Sequence, residues 1–511
     1  MNHIHLSKYI GEFLFLIFLI IGINSFTKYG IAWDEPQQRE TGLVSFDYVF
    51  NNSNQLLTWQ DRDYGVGIEL PLIVIEKVFK LETFRDIFQT RHLATHLLFL
   101  IAAFVFYKLS YLIYNSRLLA SLAFLFLVSH PLIYGHSFFN SKDVTFLSVF
   151  ILSLFFSTKL FQRKTISNSL LLGICIAWLL NIRLMGIMVP LLVISFLILD
   201  GIMYHRIKHH VKLILVIVFS SFLGLIITWP FLWEAPFENF KFAFENMSKF
   251  RYDREMLFMG EVIKPTQIPW YYIPVWFFIT TPIAYVVFGV FGILFALRNI
   301  TQNPFNWIEN SNHRNVLIGL ILCTVPVLAI IILKSVLYDS WRQMFFIYPP
   351  FIILILHSIS SIKAFSKPIY YGTIGLLFFS ISTSLFFIQK NQPLEHTYFN
   401  EFISAKGKNF ATKNFDNDYW GLSYKNGLEH ILKSDSSKNI NISVQNMPGY
   451  LNEDMLNASQ EERVHMKALK EADYYLTDFR FQTFPLDSLA KFKFYTLSVA
   501  NNSVLQIYKL K

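Results

Sequence analysis

The sequence predicts an α-helical polytopic membrane protein with about eleven transmembrane helices, followed by a small C-terminal α/β soluble domain. Of its 511 residues, 53% are hydrophobic and only 15% are charged, whereas a soluble domain usually carries about 25% charged residues. The mean hydropathy is +0.40. Long apolar runs alternate with short basic clusters, which is the charge pattern of a membrane protein. The net charge of +9 therefore does not indicate a nucleic-acid partner.

The apolar runs define the predicted spans, since a membrane helix needs about 20 mostly apolar residues. Residues 1–8 precede the first run, and no small-residue cleavage site follows it, so we expect an uncleaved signal anchor. The fifth and sixth runs are nearly continuous and predict a tight turn at the membrane surface. The predicted spans are 10–28, 93–114, 118–134, 144–161, 168–182, 185–203, 211–229, 272–297, 316–333, 343–362 and 368–388.

The basic residues predict the orientation. They concentrate on alternate connections, which places the N-terminus in the cytoplasm by the positive-inside rule. An odd number of spans then places the C-terminus outside. We expect a multi-pass protein of the bacterial inner membrane, in which residues 1–388 form the membrane domain. Its extracytoplasmic segments are the loops 29–91 and 230–271 and the short loop 135–143.

The tail, residues 389–511, is polar and predicts an extracytoplasmic domain. Apolar runs typical of strands occur at 439–444, 474–477 and 504–508, and helix-like stretches occur at 419–433 and 459–470. A separate amphipathic helix is expected at 37–50, within the first external loop.

Two acidic positions are candidates for chemistry. Asp34 and Glu35 come directly after the first span, where they suit either a helix N-terminus or a general base or metal ligand at the membrane boundary. Asp143 precedes the fourth span, where Asp143 or Ser141 could simply cap a helix. The topology brings Asp34 and Asp143 to one face. The sequence leaves open whether these two acids bind a divalent cation.

Cations on that same face are a second candidate feature. Lys142, Arg183 and Arg342 lie on the side where the positive-inside rule disfavours them. Either they snorkel to the interface, or they bind a phosphate, whose oxygens suit the donor fork of arginine.

Aromatic and histidine residues complete the candidates. Aromatic side chains near these loops suit either an interfacial belt or stacking on a sugar ring; they are Trp270, Tyr271, Tyr338 and Trp341. His92 and His96 favour a structural role over a metal site. Cys175 and Cys323 lie in apolar runs, so no disulfide framework is expected. The sequence contains no P-loop, dinucleotide fingerprint or zinc signature.

In layout, the chain resembles the GT-C glycosyltransferases, and among them the protein mannosyltransferase and aminoarabinose transferase group (glycosyltransferase family 39-like). The resemblance covers most of the membrane region and rests on the order and sidedness of short motifs. These motifs are Asp34-Glu35, Lys142-Asp143, Pro269-Trp270-Tyr271-Tyr272, Tyr338-Asp339-Ser340-Trp341-Arg342 and Asp418-Tyr419-Trp420-Gly421.

The resemblance implies a sugar donor on a polyprenyl phosphate and a lipid, glycan or protein acceptor outside the cytoplasm. It implies that Asp34 is the base or positions the acceptor, that Glu35 is its neighbour in the motif, and that Asp143 helps to hold a cation or the acceptor. The luminal insertion of protein mannosyltransferases is missing from this sequence, which disfavours a protein acceptor.

The chemistry of such a transfer agrees with the residue types. A lipid-linked phosphate leaves once its charge is neutralised, which Lys142, Arg183 or Arg342 could do. The acceptor hydroxyl needs a base, and direct displacement inverts the anomeric centre. A transporter or flippase of lipid-linked glycans is the alternative, although such proteins tend to show repeats and midplane charges. A sensor or assembly factor that works through its tail is a third possibility.

Overall fold

The computed structural model describes residues 9–248, 254–480 and 487–511; the expected cytoplasmic start of the signal anchor, residues 1–8, lies outside these ranges. The helices of the membrane region are α1 (Ile10–Ile23), α2 (Glu35–Phe50), α3 (Glu69–Val78), α4 (Phe84–Tyr114), α5 (Arg117–Val128), α6 (Pro131–Phe139), α7 (Ser141–Gln162), α8 (Ile166–Ile182), α9 (Met188–Met203), α10 (Ile207–Thr228), α11 (Pro236–Ser248), α12 (Tyr272–Thr280), α13 (Ile283–Gln302), α14 (Asn306–Glu309), α15 (Ser311–Leu333), α16 (Tyr348–Phe365) and α17 (Lys367–Asn391).

Within the described ranges, nine helical segments are long and apolar enough to cross a membrane, or ten if the bent pair α5–α6 forms one span. The prediction of about eleven also counted the run 168–182, which corresponds to α8. This helix has 17 residues, which is at the short end of the range that crosses a membrane. The amphipathic helix expected at 37–50 is α2.

Polar N-cap side chains begin many of the membrane helices. Thr83, Ser116, Thr165 and Ser366 each accept a hydrogen bond from a backbone N–H in the first turn of the helix that follows. Such caps satisfy donors that have no partner inside the helix. The starts of these four helices are therefore set by local sequence. The apolar faces of the bundle pack in one large core.

Two predicted spans are broken, and both breaks occur at a proline. The run 118–134 divides into α5 and α6, which are bent by 64°, and Pro131 begins α6. The expected loop at 135–143 is therefore wrong for residues up to Phe139, which are helical. The run 272–297 divides into α12 and α13 at Pro282. Proline lacks an amide hydrogen and disfavours helical backbone in the residue before it.

A hairpin of β1 (Met256–Phe258) and β2 (Glu261–Ile263) lies in the membrane region. The strands of the tail are β3 (Ile440–Val444), β4 (Val464–Met466), β5 (Tyr474–Thr477), β6 (Lys493–Val499) and β7 (Asn502–Lys509). They form a five-stranded sheet in the order β4-β3-β5-β7-β6. Its helices are α18 (Glu401–Ser404), α19 (Phe410–Asn414), α20 (Ser423–Ser434), α21 (Met447–Leu451) and α22 (Ala458–Glu461). The three expected strands are present, so the small α/β domain is confirmed.

The helix expected at 459–470 is wrong. Only α22 at its start is helical, and β4 follows within the same segment. β4 pairs in parallel with β3, with Ile440 opposite Val464, so tertiary pairing outweighs the local helix preference. β6, which the sequence analysis missed, pairs antiparallel with β7.

The tail packs directly on the membrane domain. Lys425 Nζ donates to the carbonyl oxygens of Thr27 and Lys28 at 2.7 and 3.0 Å. Asn452 accepts a bond from the Ile31 amide and donates to the Ile31 carbonyl, both at 3.0 Å. These contacts hold the tail against the segment that leads from α1 to Asp34.

A candidate active site at one end of the helix bundle

Three acids and three arginines from five parts of the chain meet at one end of the bundle. We call this group the charged cluster; its members are Asp34, Asp143, Arg183, Asp339, Arg342 and Arg480. The sequence predicted the convergence of Asp34, Asp143, Arg183 and Arg342 on one face, and the structure brings these four together.

Arg342 is the centre of the charged cluster. Its Nη1 donates to Asp143 Oδ2 at 3.0 Å, and its Nη2 lies 3.3 Å from Asp34 Oδ2 and 3.4 Å from Asp339 Oδ2. The guanidinium carbon lies 4.9 Å from the ring centre of Tyr338. Arg342 is buried, so it belongs to the interior of the site and does not snorkel.

Asp143 is enclosed by donors. Arg342, Arg183 and the Asn140 amide all donate to its carboxylate. Asn140, which is neither of the two expected caps, begins α7, since its Oδ1 accepts from the Asp143 amide at 3.1 Å. Ser141 Oγ donates to Glu69 at 2.6 Å. The alternative in which Asp143 or Ser141 is the cap is therefore wrong, and the Asp143 carboxylate is committed to the arginines.

Asp34 is the accessible acid of the charged cluster. Its side chain is 38% exposed, against 1% for Asp143 and 9% for Asp339. It precedes α2 but makes no capping hydrogen bond. Burial of the surrounding site raises the pKa of Asp34 above that of an ordinary aspartate, while the neighbouring Arg342 acts in the opposite direction. A reachable carboxylate with a raised pKa suits a proton acceptor.

Asp339 lies on strained backbone. Asp339 and Ser340 have φ values of 56° and 69°, a left-handed conformation that costs non-glycine residues about 1–3 kcal/mol each. In this conformation the Asp339 carboxylate lies between Arg342 and Arg480, which bind its two oxygens. Such strain persists only where surrounding contacts hold it, and here those contacts are ion pairs of the charged cluster.

Glu35 points away from the charged cluster, although it follows Asp34 directly. It is buried and accepts from the Ala32 amide at 2.7 Å, and His92 Nε2 lies 3.0 Å from its Oε1. In this structure Glu35 supports the loop through His92, in place of the predicted role beside Asp34. His96 Nδ1 lies 2.8 Å from Ser137 Oγ, so both histidines have the structural partners that the sequence analysis favoured.

Lys142 is covered by a residue that the sequence analysis missed. Its Nζ lies 3.6 Å from the ring centre of Tyr64. The Tyr64 loop is pressed against the end of α8, because Trp178 Nε1 donates to the Gly67 carbonyl at 2.8 Å and a Cβ on Gly65 would collide with the Asn181 backbone. The two glycines that follow this tyrosine, Gly65 and Gly67, were the available signal, since glycine permits such close backbone approach.

The predicted aromatic lining is only partly at the site. Tyr338 lies against Arg342. Trp341 has no exposed surface, and its Nε1 donates to Thr280 Oγ1 at 2.8 Å, so it packs behind the site and does not line it. Trp270 and Tyr271 are exposed and contact each other. Their role as substrate-lining residues stays a prediction.

The arrangement does not fit a divalent cation between Asp34 and Asp143. The Arg342 guanidinium occupies that position and donates to both carboxylates. Across residues 9–248, 254–480 and 487–511, no group of three or more His, Cys, Asp or Glu side chains is placed to hold a metal ion.

The tail contributes two further residues. Arg480 Nη2 donates to Asp339 Oδ1 at 2.8 Å, and the Trp420 ring lies 4.7 Å from the Arg342 guanidinium. Trp420 lies in the motif Asp418-Tyr419-Trp420-Gly421, for which the sequence predicted no role, and Arg480 was not among the predicted site residues. No local signal marks an arginine that only tertiary docking brings to the site.

Comparison with known proteins identifies the architecture. No protein-family model and no curated protein matches this chain. ArnT from Cupriavidus metallidurans in the apo state superposes with a TM-score of 0.50 at 13% identity, over 97% of this chain and 97% of that one. The chain has an ArnT-like GT-C fold. A second structure of this ArnT, bound to undecaprenyl phosphate, covers the same shares at 12% identity with a TM-score of 0.48.

The likeness confirms the predicted fold class and the structural side of the resemblance found in the sequence. A GT-C-type helix bundle with many apolar helices makes this chain a multi-pass membrane protein. At such low identity the likeness concerns the fold alone, so the activity has to be argued from the charged cluster.

Proposed function

We propose that this chain is a membrane glycosyltransferase that moves a hexose or pentose from a polyprenyl-phosphate donor to an extracytoplasmic lipid, glycan or protein acceptor, with inversion. One observation carries the proposal: Asp34 is a reachable carboxylate beside the buried guanidinium of Arg342. This is the combination that the reaction needs, because the acceptor must lose a proton while the donor phosphate gains charge.

In the proposed reaction, the acceptor hydroxyl donates its proton to Asp34. The hydroxyl oxygen then bonds to the anomeric carbon of the donor as the bond from that carbon to the phosphate oxygen breaks. The lipid phosphate departs with the bonding electrons, and the new bond forms on the opposite face of the sugar, which inverts the anomeric centre. The fixed cations stabilise the leaving phosphate without having to reorganise.

Lys142 and Arg183 are the best placed of the proposed phosphate ligands. Lys142 faces the Tyr64 ring and not a carboxylate. Arg183 shares Asp143 with Arg342, so one buried carboxylate serves two guanidinium groups, and the Nε atoms of both arginines have no hydrogen-bond partner in the described structure. The site thus retains donor capacity for an incoming anion.

The direct test is the loss of a product in cells. Mass spectrometry of surface glycans and lipids should show one specific sugar missing from cells that lack the chain, and the wild-type chain should restore it. The Asp34→Asn variant, inserted at the same level, should not. Unchanged glycans and lipids in the deletion would contradict the proposed activity, and restoration by Asp34→Asn would favour a transporter or a tail-based sensor.

Arg342→Ala is expected to raise the apparent KM for the lipid donor roughly tenfold, and to raise that for the acceptor less. The reason is that a hydrogen bond to a charged group contributes about 1.5–3 kcal/mol. Transfer kinetics with both substrates varied in turn would measure it. Lys264→Ala, which removes an exposed cation from the loop 230–271, is the matched control. An unchanged donor KM in Arg342→Ala would remove Arg342 from the phosphate site.

The proposed orientation places the charged cluster outside the cytoplasm. Cysteines introduced at position 60 and near the C-terminus should react with an impermeant maleimide added to intact cells, and those at 208 and 305 should react only after lysis. The two native cysteines are buried, so background labelling should be low. Labelling of position 208 in intact cells would reverse the orientation and contradict an extracytoplasmic acceptor.

A further inference from the structure

The tail reaches the charged cluster through one buried arginine. Arg480 follows β5 and donates to both Asp339 and the Tyr419 carbonyl. Its own backbone is fixed, because its amide donates to Asp478 Oδ1 at 3.2 Å and its carbonyl accepts from the Gln445 side chain. The backbone of Arg480 is thus held in place where its side chain reaches the membrane domain.

The tail also contacts Trp33, the residue that precedes Asp34. The Trp33 amide donates to the Trp420 carbonyl at 3.2 Å. The Arg480 guanidinium lies 5.6 Å from the Trp33 ring centre, within the range of a cation–π contact. The tail therefore touches the backbone and the side chain that immediately precede Asp34.

We infer that Arg480 is a positioning residue, and that the docked C-terminal domain completes the active site by holding Asp339 and Trp33, which in turn set the places of Arg342 and Asp34. The inference rests on the proposed function, since it gives Asp34 and Arg342 their roles in transfer. Without Arg480, Arg342 is the cation of the cluster that still pairs with Asp339. Asp339 should then attract the Arg342 guanidinium more strongly, and Asp34 and Asp143, which bind the same guanidinium, should lose part of their interaction with it.

The charges around Asp34 give this inference a specific signature. The groups that face it are Arg342, Asp339, Arg480, Asp143 and the phenol of Tyr338. Burial and the two acids raise the pKa of Asp34, whereas Arg342 and Arg480 lower it. Removing Arg480 should therefore raise this pKa further and move the acid limb of the pH–rate profile to higher pH.

The test compares the full-length wild type, Arg480→Ala and Arg480→Lys in lipid vesicles. Arg480→Ala should lower kcat by roughly 10- to 10²-fold, as expected for a misplaced catalytic group, with the acid limb shifted upward. The donor KM should rise less than in Arg342→Ala, because the Arg342 guanidinium is displaced and not removed. Arg480→Lys retains the charge and should recover much of the turnover, with an acid limb near that of the wild type.

A matched control comes from within the tail. Arg463 also donates to backbone carbonyls, those of Leu432, Asp435 and Ser437, but not to the charged cluster. Arg463→Ala should weaken the tail without moving the acid limb. If Arg480→Ala behaves in the same way, with lower turnover on an unmoved acid limb, its role is structural and the inference is overturned.

A readout that needs no transfer separates this inference from the proposed function. Difference infrared spectroscopy of each protein against its Asp34→Asn counterpart follows the titration of the Asp34 carboxyl directly. If the wild type transfers no sugar but this titration shifts in Arg480→Ala, the positioning role stands and the proposed function fails. If transfer is found and the titration does not shift, the positioning role fails.

Discussion

Asp34→Asn is expected to lower the turnover of sugar transfer by at least about 10²-fold, the lower end of the range for general-base catalysis. The amide keeps the shape of the side chain and removes the proton acceptor. Asp34 is the accessible carboxylate of the charged cluster, since Asp143 and Asp339 are buried. The other two acids are therefore poorly placed to take over its role.

Stability and donor binding should survive the same substitution. The surrounding protein removes part of the water around Asp34 and so raises its pKa. The folded site therefore disfavours the ionised form, and a neutral amide should not lower the melting temperature in detergent. The proposed phosphate ligands are the cations, which remain. Undecaprenyl phosphate is a suitable probe for the binding measurement.

Single-turnover transfer by the purified protein in lipid would measure the effect, beside donor binding and a pH profile. The wild-type rate should fall as the pH drops through the raised pKa of Asp34, because the protonated acid cannot accept a proton. That limb should be lost in Asp34→Asn. Glu40→Gln, which neutralises an exposed acid on α2, should leave both rate and profile unchanged.

Two results would contradict this role. Near-normal transfer by Asp34→Asn would show that the acid is merely solvated at the start of α2. Loss of donor binding together with transfer would show that Asp34 helps to organise the phosphate site, and the mechanism would then need a different base.

Asp143→Asn is expected to lower the stability of the folded protein by about 3–5 kcal/mol, the usual cost of removing one partner from a buried ion pair. Asp143 is 1% exposed and accepts from both Arg342 and Arg183. Its loss leaves Arg183 without the carboxylate that it pairs with in the described structure, and it leaves Arg342 with only Asp34 and Asp339. The detergent melting temperature should fall clearly, in contrast to Asp34→Asn.

A double substitution tests whether unpaired charge is the cause. Arg183→Gln in the Asp143→Asn background removes one uncompensated cation and should restore part of the lost melting temperature, since neutralising both partners costs less than neutralising one. Equal melting temperatures for wild type and Asp143→Asn would show that these pairs do not stabilise the fold.

Much of the site could be predicted from the sequence, because only residues on the same side of the membrane can come into contact at its surface. Once the spans and their alternation are known, Asp34, Asp143, Arg183 and Arg342 must share one face, and the structure joins them through ion pairs. The side of the membrane on which a residue lies does not determine the direction in which its side chain points. Glu35 is adjacent to Asp34 yet turns inward to His92, and Trp341 is adjacent to Arg342 yet is fully buried.

The amino-acid sequence alone determined the membrane fold, its approximate spans and the existence of a tail domain. These depend on local properties, namely the length and apolarity of each membrane run and the short apolar runs of the tail strands. Both helix breaks occur at a proline that is visible in the sequence. The sequence alone does not predict the break, because the effect of a proline on a span depends on whether neighbouring helices satisfy the freed backbone groups.

Only the tertiary structure decided which residues complete the charged cluster. Tyr64 reaches Lys142 because its loop packs on α8, and Arg480 reaches Asp339 because the tail docks on the membrane domain. Both contacts join segments far apart in the chain, and their formation depends on the burial of large packed surfaces. No local pattern of residues encodes such a contact between distant segments.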